Sequence, residues 1–333
     1  MSPPPAYRAP WWLPGGHLQT IFPVARKAPL PTYRRERWDT PDGDFIELDW
    51  IDPPGPASAA QAALTQPDSA PIFVLFHGLE GSSRSHYARS LMQAASARGW
   101  RGVVPHFRGC GGTPNRLPRA YHSGDSDEID WILRRLQQLA RGAPVFAAGV
   151  SLGGNALLKW LGERGTAARE VVDAGAAICA PLDLTLSGYA LGEGFNRVYT
   201  RHFLATLRAK ALAKCERHPG CFDAARITGA RSLAEFDDVY TAPAHGFAGV
   251  DDYWRRASAR PWLGGIEVPT LVLNAANDPF VPARALPDVR TLPPAVHFDC
   301  PDEGGHVGFL AGAWPGSQDW LAARVLAHFD RAR

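Results

Sequence analysis

Six short, mainly apolar runs between positions 72 and 300 constrain most strongly what this 333-residue chain can fold into. Runs of this length are typical of strands in a sheet that is buried on both faces. Helical hydrophobic periods separate several of them, so strand and helix alternate. This alternation predicts right-handed crossovers and a doubly wound, mostly parallel α/β sheet. The strand runs are 72–76, 101–107, 144–150, 174–180, 269–275 and 295–300, and the helical periods are 85–98, 125–140 and 152–163.

Two further segments near the N-terminus predict a β-hairpin. Residues 34–40 and 44–51 alternate polar and apolar side chains and flank a Pro-Asp-Gly turn sequence. The first 30 or so residues are Pro-rich and irregular by composition. Because they also contain Trp11 and Trp12, which a free tail would hardly expose, we expect residues 1–32 to form an arm packed on the main domain.

The strand–helix rhythm breaks at about residue 181 and resumes at about residue 269. We expect residues 181–262 to form an inserted helical cap over the carboxyl ends of the strands, where ligands bind in such sheets. The core is then expected to comprise residues 33–180 and 263–333. Aromatic residues of the cap could line an acyl pocket or could form the cap's own core. They are Phe195, Tyr199, Phe203, Phe247 and Tyr253.

One serine stands at a sharp transition from strand to helix. Residues 149–153, Gly-Val-Ser-Leu-Gly, match G-x-S-x-G, with an apolar run before them and a helix-forming stretch after them. In this turn the serine backbone is strained, and side chains in place of Gly149 and Gly153 would collide with the neighbouring strand and helix. The turn projects the hydroxyl of Ser151 out of the sheet. We therefore expect Ser151 to be a nucleophile.

A serine hydroxyl needs an imidazole to take its proton and a carboxylate to orient that imidazole. With this motif the partners follow in the order serine, acid, histidine. Asp278 comes just after an apolar run, and His306 follows the last run behind two glycines. We expect Ser151, Asp278 and His306 to form a catalytic triad. Weaker candidates for the acid, none immediately beyond an apolar run, are Asp288, Asp302 and Glu303.

Backbone amides are expected to stabilise the oxyanion of a tetrahedral intermediate. One donor is predicted to be the N–H of Leu152, the residue after the nucleophile. The glycine-punctuated loop 77–83, His-Gly-Leu-Glu-Gly-Ser-Ser, follows an apolar run and is suited to aiming a second amide. We assign that donor to Leu79.

Charge and cysteine content bear on partners and compartment. The formal net charge is +2, and no basic block interleaves with aromatics, which gives nucleic acid little support as a partner. Five scattered cysteines favour reduced thiols over a disulfide framework. The N-terminus lacks the regions of a signal peptide, and no apolar run approaches the ~20 residues of a membrane-spanning helix. We expect a soluble cytoplasmic protein, with transient membrane contact and oligomeric state left open.

Several longer strings lie along the chain: HLQTIFP (17–23), HGLEGSSRSHY (77–87), FRGCGG (107–112), YHSGDSDEID (121–130), GVSLGGNALLKWLGE (149–163) and FDDVYTAPAHGF (236–247). Together they resemble the YheT-like branch of the α/β-hydrolase superfamily over nearly the whole chain. The family's triad corresponds to Ser151, Asp278 and His306. Where the family commonly has Arg-Gly-Cys-Ser-Gly, this chain has Gly111 at the position of the serine.

The resemblance implies an α/β-hydrolase fold and a carboxylester hydrolase, with no metal and no organic cofactor. Relatives in this branch include lipases of acylglycerols or phospholipids and acyltransferases that make medium-chain ethyl esters. We therefore expect hydrolysis of short- to medium-chain acyl esters, acylglycerol-like or simple, through an acyl-enzyme. Two alternatives are transfer of the acyl group to an alcohol acceptor and a non-catalytic binding protein that keeps the hydrolase fold.

Overall fold

The computed structural model describes residues 4–26, 28–54 and 70–332 and contains one eight-stranded sheet in the order β1-β2-β4-β3-β5-β6-β7-β8. Strand β2 is antiparallel to both of its neighbours, β1 and β4. All other neighbouring strands run parallel. Both the predicted hairpin and the mostly parallel sheet are therefore confirmed. The strands are β1 Arg34–Asp39, β2 Phe45–Ile51, β3 Ile72–Phe76, β4 Arg101–His106, β5 Val145–Val150, β6 Ala174–Ile178, β7 Thr270–Leu273 and β8 Val296–Asp299.

Helices cover both faces of the sheet and bury its central strands. Every residue of β3, β5 and β6 is buried, which explains their unbroken apolar sequences. Helices α3 and α4 belong to one large apolar cluster, and α2 and α11 belong to the cluster on the other face. These helices are α2 His86–Ala97, α3 Ser126–Ala140, α4 Leu152–Arg164 and α11 Asp319–Arg331.

The chain between β6 and β7 is mostly helical and has an apolar cluster of its own. A π-helical turn, Asp237–Thr241, connects two of its short helices. Within the described parts of the chain, no helix combines the length and apolar character needed to cross a membrane. The helices of this region are α5 Leu184–Ala190, α6 Asn196–Arg217, α7 Ala224–Gly229, α8 Leu233–Phe236, α9 Ala242–Ala244 and α10 Val250–Ala257, and a 3₁₀ helix, Arg260–Gly265, follows them.

The N-terminal arm contains a helix that the sequence analysis did not predict, α1 Gly16–Ala25. The sequence does not predict this helix because Pro23 lies inside it, Gly15 caps its N-terminus and Gly16 is its first residue. Trp12 packs its ring against Phe22, with centroids 5.4 Å apart. Trp11, in contrast, is 91% exposed. Trp12 also contacts Trp314, which lies outside residues 1–32, with ring centroids 5.1 Å apart. The division into arm and core stays a prediction.

Candidate active site

The residues that the sequence analysis singled out lie at one edge of the sheet. Leu79 follows β3, Ser151 follows β5, Asp278 follows β7 and His306 follows β8. Because these four strands are parallel, their carboxyl ends meet at the same edge. This is the edge at which ligands bind in doubly wound sheets.

Ser151 occupies a strained turn between β5 and α4. Its backbone angles are φ 52° and ψ −117°, a region that residues with a side chain rarely adopt. A Cβ atom at Gly149 would lie 2.3 Å from the Gly153 carbonyl oxygen. A Cβ atom at Gly153 would lie 2.5 Å from the Phe76 carbonyl oxygen. Both glycines are thus required by close backbone approach, as the motif predicted.

Three side chains form a continuous line of hydrogen bonds from carboxylate to hydroxyl. His306 Nδ1–H donates to Asp278 Oδ2 over 2.8 Å. The hydroxyl of Ser151 donates to His306 Nε2 over 3.0 Å. The carboxylate selects the tautomer that leaves Nε2 free to accept a proton. The arrangement can therefore remove a proton from the serine hydroxyl.

The acid and the imidazole are both held in place by further contacts. Asp278 is buried, and its Oδ1 accepts the backbone N–H of Phe280 at 2.8 Å. The Phe280 ring lies against the His306 ring, with centroids 4.2 Å apart. Packing and hydrogen bonds thus restrict the rotation of both side chains.

The weaker acid candidates have other environments. Glu303 accepts a hydrogen bond from a glutamine of α1, and Asp302 is exposed. Asp288 is exposed at the surface, where it pairs with an arginine two residues away. The structure therefore brings Asp278, and none of these three, to His306.

Gln19 of α1 joins the loops that carry the acid and the histidine. Its Oε1 accepts the side-chain N–H of Asn277 and the backbone N–H of Gly304, each at 2.9 Å. Asn277 Oδ1 in turn accepts the backbone N–H of Gly305 at 2.9 Å. The two glycines before the histidine are therefore held by side chains and do not form a free hinge.

Thr20, the next residue of α1, contacts the histidine directly. Its hydroxyl oxygen accepts the backbone N–H of His306 at 2.9 Å while the hydroxyl donates to the Gly16 carbonyl at 2.7 Å. The sequence analysis did not identify Gln19 or Thr20. A signal was present in string 17–23, which belongs to the family resemblance but carries no motif of known chemistry.

The backbone amides predicted to bind an oxyanion both flank the serine. Leu79 and Leu152 line the cavity into which Ser151 opens. Within the described residues, neither amide donates to a protein acceptor. The loop is close to the nucleophile, since a Cβ atom at Gly78 would lie 3.3 Å from Ser151 Cβ. The Gly78 amide itself donates to the Tyr87 hydroxyl at 2.8 Å, which leaves the next amide for a ligand.

His77 positions the loop 77–83 through hydrogen bonds of both ring nitrogens. The sequence analysis did not identify this role of His77. Its Nδ1–H donates to the Gly78 carbonyl at 2.8 Å, and its Nε2 accepts the Phe107 backbone N–H at 3.1 Å. Complete burial lowers the pKa of His77 to about 3. The ring is therefore neutral, and both of its nitrogens are engaged in positioning backbone.

Cys179 lies beneath the acid and the histidine. It follows β6 with a positive φ of 50°, and its Sγ accepts the backbone N–H of Val307 at 3.2 Å. Its Sγ and ligand atoms of Asp278 and His306 all lie within 4.8 Å of one another. Burial raises the pKa of the thiol well above its usual value. Cys179 therefore acts here as a buried neutral group that supports the histidine loop.

A second group of side chains with metal-ligating atoms lies between the core and the inserted helices. Atoms of His122, Asp125 and His245 come within 4.8 Å of one another. The Gly124 N–H donates to His122 Nδ1 at 3.2 Å, which places the proton of the neutral ring on Nε2. Arg119 donates to Asp125 at 2.5 Å. The group therefore fits a hydrogen-bonded contact better than a metal site, because a metal ion would have to displace both arrangements.

Ser151 opens into a cavity of about 120 Å³ that is lined by loops at the carboxyl edge of the sheet and by the helices between β6 and β7. The helices contribute mainly apolar and aromatic side chains. Two of the five aromatic residues considered for an acyl pocket, Phe203 and Tyr253, line this cavity, and the other three do not. A further cavity of about 260 Å³ lies beside it and shares five lining residues with it. They are Ala120, Tyr121, Leu207, Phe236 and Tyr240.

Comparison of this sequence with protein families and with known proteins identifies clear relatives. The model of the alpha/beta hydrolase fold family matches residues 71–313. A candidate esterase, YheT, of Escherichia coli (strain K12) is 42% identical over 312 residues, which cover 93% of this chain and 88% of that protein. The human phospholipase ABHD3 is 30% identical over 325 residues, or 96% of this chain and 77% of that protein.

Solved structures with low sequence identity share the architecture. The esterase Pf2001 of Pyrococcus furiosus superposes with a TM-score of 0.55 at 14% identity, over 99% of this chain and 98% of that one. At such identity the likeness concerns the fold alone. It agrees with the sheet order and helix placement described above.

Proposed function

The chain belongs to the α/β-hydrolase fold family, and from this premise we propose that it is a serine carboxylester hydrolase that works through an acyl-enzyme. The observation that carries the proposal is the line of hydrogen bonds from Asp278 through His306 to Ser151. The relatives named as an esterase and as a phospholipase support the ester class of substrate.

In the acylation step, Ser151 Oγ attacks the carbonyl carbon of the ester while His306 Nε2 takes the hydroxyl proton. Asp278 holds the imidazole tautomer and stabilises the imidazolium that forms. The amides of Leu79 and Leu152 donate to the oxyanion of the tetrahedral intermediate. The bond to the alcohol oxygen then breaks, and the alcohol leaves with the proton from His306.

In the second step, water replaces the alcohol. His306 takes a proton from the water as its oxygen attacks the acyl carbon, and the same amides stabilise the second intermediate. The bond to Ser151 Oγ breaks, the serine regains its proton, and the carboxylic acid leaves. Transfer to an alcohol acceptor would share the first step and differ only in the second nucleophile.

We propose short- to medium-chain acyl esters as the substrates. Two features support this range: the small volume of the cavity at Ser151 and the mainly apolar side chains that line it. We further propose that residues 181–262 act as a cap on a core of residues 33–180 and 263–333, with residues 1–32 as the arm. We also propose that the protein works in the cytoplasm, with its five cysteines as free thiols.

The experiment that tests the function compares the wild type with Ser151→Ala on a panel of p-nitrophenyl esters from acetyl to palmitoyl. A fluorophosphonate probe is applied to both proteins in parallel. We expect hydrolysis and labelling by the wild type and a loss of ~10⁴-fold or more in turnover for the variant. Wild-type turnover in the variant would overturn the proposal. A wild type that neither labels nor hydrolyses would instead support the binding protein, and a new ester formed with added ethanol or glycerol would identify acyl transfer.

A further inference from the structure

Asp237 places a carboxyl group in the wall of the cavity that contains Ser151. It is the first residue of the π-helical turn Asp237–Thr241, in the chain between β6 and β7. Single π turns within helices are frequent at functional sites, because the inserted residue redirects neighbouring side chains. No step of the proposed ester hydrolysis uses this group.

The hydrogen bonds of Asp237 leave part of its capacity unused. Its Oδ1 accepts the hydroxyl of Thr241 at 2.6 Å, and its Oδ2 accepts Trp254 Nε1–H at 2.9 Å. A carboxylate has about four acceptor positions, and only these two are filled by side chains of the described residues. Both donors are neutral groups.

Within the part of the chain that the structure describes, no lysine or arginine is paired with this carboxyl. Among the described residues, no lysine, arginine or histidine forms an ion pair with Asp237, and no other acid, lysine or arginine lines the cavity. His122 also lines it, and burial lowers the pKa of that imidazole, which favours its neutral form. Burial raises the pKa of Asp237 to about 6. Burying a carboxylate without a cation is unfavourable, and uncompensated acids of this kind are concentrated at functional sites.

Asp238, the residue after Asp237, has different surroundings. Asp238 lies outside this cavity, pairs with Arg226 over 3.5 Å and accepts the backbone N–H of Val250 at 3.3 Å. Two adjacent aspartates thus have opposite environments. Asp238 has a partner at the surface, whereas Asp237 is directed to the interior cavity.

Aromatic side chains surround the same part of the cavity. Trp254 is held by its bond to Asp237 and by close packing on Gly188, where a Cβ atom would lie 2.5 Å from the indole ring. Tyr240 and Tyr253 also line the cavity. Aromatic rings beside a carboxylate favour a ligand group that is polar or cationic at its end and apolar along its length.

We propose that Asp237 determines substrate specificity by binding a hydrogen-bond-donating group of the ester, either a hydroxyl or a protonated amine, inside the cavity. The inference rests on the proposed esterase function and narrows its substrate class. An ester that ends in methyl leaves the half-buried carboxyl without a third partner from the ligand. An ester that ends in a donor supplies one.

The test uses esters that differ only in one terminal group: methyl, hydroxyl or protonated dimethylamine. One set carries this group on the alcohol portion and the other set carries it on the acyl portion. For each protein, kcat/KM of the donor ester is divided by kcat/KM of the methyl ester. Turnover of p-nitrophenyl acetate is measured alongside as a check on the chemical step.

Two variants remove the charge, and a third serves as the matched control. Asp237→Asn can keep both bonds, because its amide oxygen can accept from Trp254 and its amide N–H can donate to the Thr241 hydroxyl. Asp237→Leu removes hydrogen bonding altogether. Asp238→Asn removes the same charge one residue further along, outside the cavity.

For the wild type and Asp238→Asn, we expect a donor-to-methyl ratio of about tenfold to a hundredfold for at least one set, as a charge-assisted hydrogen bond provides. The amine ratio should fall towards one in both Asp237 variants, and the hydroxyl ratio should fall furthest in Asp237→Leu. The larger wild-type ratio identifies the ligand group as hydroxyl or amine.

A wild-type ratio near one for every pair would overturn the inference while leaving the esterase function intact. Ratios in Asp237→Asn equal to those of the wild type would also overturn it, whether or not Asp237→Leu folds. Failure of the wild type to hydrolyse any ester, p-nitrophenyl acetate included, would instead count against the proposed function.

Discussion

The hydroxyl oxygen of Thr20 accepts the backbone N–H of His306 at 2.9 Å, although the two residues are 286 positions apart. With Gln19, which bonds to the loops on either side of this contact, Thr20 connects helix α1 to the acid and the histidine. The arm is therefore part of the support of the candidate active site. Its contribution can be measured separately from that of the triad.

Thr20→Val should lower kcat about tenfold to a hundredfold with a smaller change in KM, because a displaced imidazole impairs proton transfer more than substrate binding. Steady-state kinetics on a p-nitrophenyl ester measure the effect. The matched control is Thr228→Val, since Thr228 also donates to the carbonyl four residues earlier but lies exposed on α7. Equal kinetics for the two variants would show that Thr20 does not position His306.

His77→Ala should impair both stability and turnover. The substitution leaves the buried Phe107 N–H without its partner and removes one of the two hydrogen bonds to the Gly78 carbonyl, which still accepts the Gly81 N–H at 2.9 Å. An orphaned buried N–H costs about 1–3 kcal/mol in unfolding free energy. A displaced oxyanion loop should also lower kcat about 10²-fold, comparable to the loss of one oxyanion donor. Urea unfolding and kinetics at a temperature where the variant is folded separate the two effects. Unchanged kcat in the folded variant would contradict the role of this loop.

Asp278→Asn should lower kcat about 10⁴-fold while the protein remains folded, because the amide no longer selects the required imidazole tautomer. Asp288→Asn serves as the control for a neighbouring acid, since Asp288 lies at the surface beside Arg290. We expect its kcat to stay within about twofold of wild type, as usual for surface substitutions. If Asp288→Asn lost activity and Asp278→Asn kept it, the acid would be misassigned.

The sequence predicts the roles of those site residues that belong to a motif or closely follow a strand. Ser151 was predictable because two glycines, a strand and a helix surround it, and Asp278 and His306 because each follows a late apolar run. The sheet could be predicted for a similar reason. Strands β3, β5 and β6 are buried on both faces, and for this reason their sequences are unbroken apolar runs.

The supporting residues could not be predicted, because their roles arise from contacts across the chain. Gln19 and Asn277 are 258 positions apart, and neither belongs to a periodic or chemical pattern. In the sequence, Cys179 is one of several scattered cysteines. Only the structure shows that its Sγ lies close to His306. Helix α1 escaped prediction because Pro23 and the flanking glycines are typical of irregular chain.

Asp237→Asn should change the pH dependence of stability. Burial raises the pKa of Asp237 to about 6, above the value of 3.8 for a free side chain. A carboxyl whose pKa is raised in the folded state stabilises the fold fully below the unfolded pKa, and this contribution is lost as pH rises through the folded pKa. The wild type should therefore lose up to about 3 kcal/mol from this group between about pH 4 and about pH 6.

The variant lacks the titrating group, so its unfolding free energy should rise relative to wild type over the same pH window and then stay level. Urea unfolding of both proteins across the window measures the difference. Asp237→Leu should follow the same trend from a different baseline, because it also removes the carboxyl. A difference between wild type and Asp237→Asn that is independent of pH would contradict the burial of an uncompensated acid.

The central claim is that the acyl group passes through Ser151, and the acyl-enzyme itself tests it most directly. The wild type is mixed with a p-nitrophenyl ester, quenched in acid within the first turnovers, and examined by intact mass and peptide mapping. We expect the mass of the peptide containing Ser151 to increase by one acyl group in the wild type. The corresponding peptide of Ser151→Ala should show no such increase. Rapid hydrolysis without any acyl group on Ser151, together with undiminished turnover by Ser151→Ala, would contradict it.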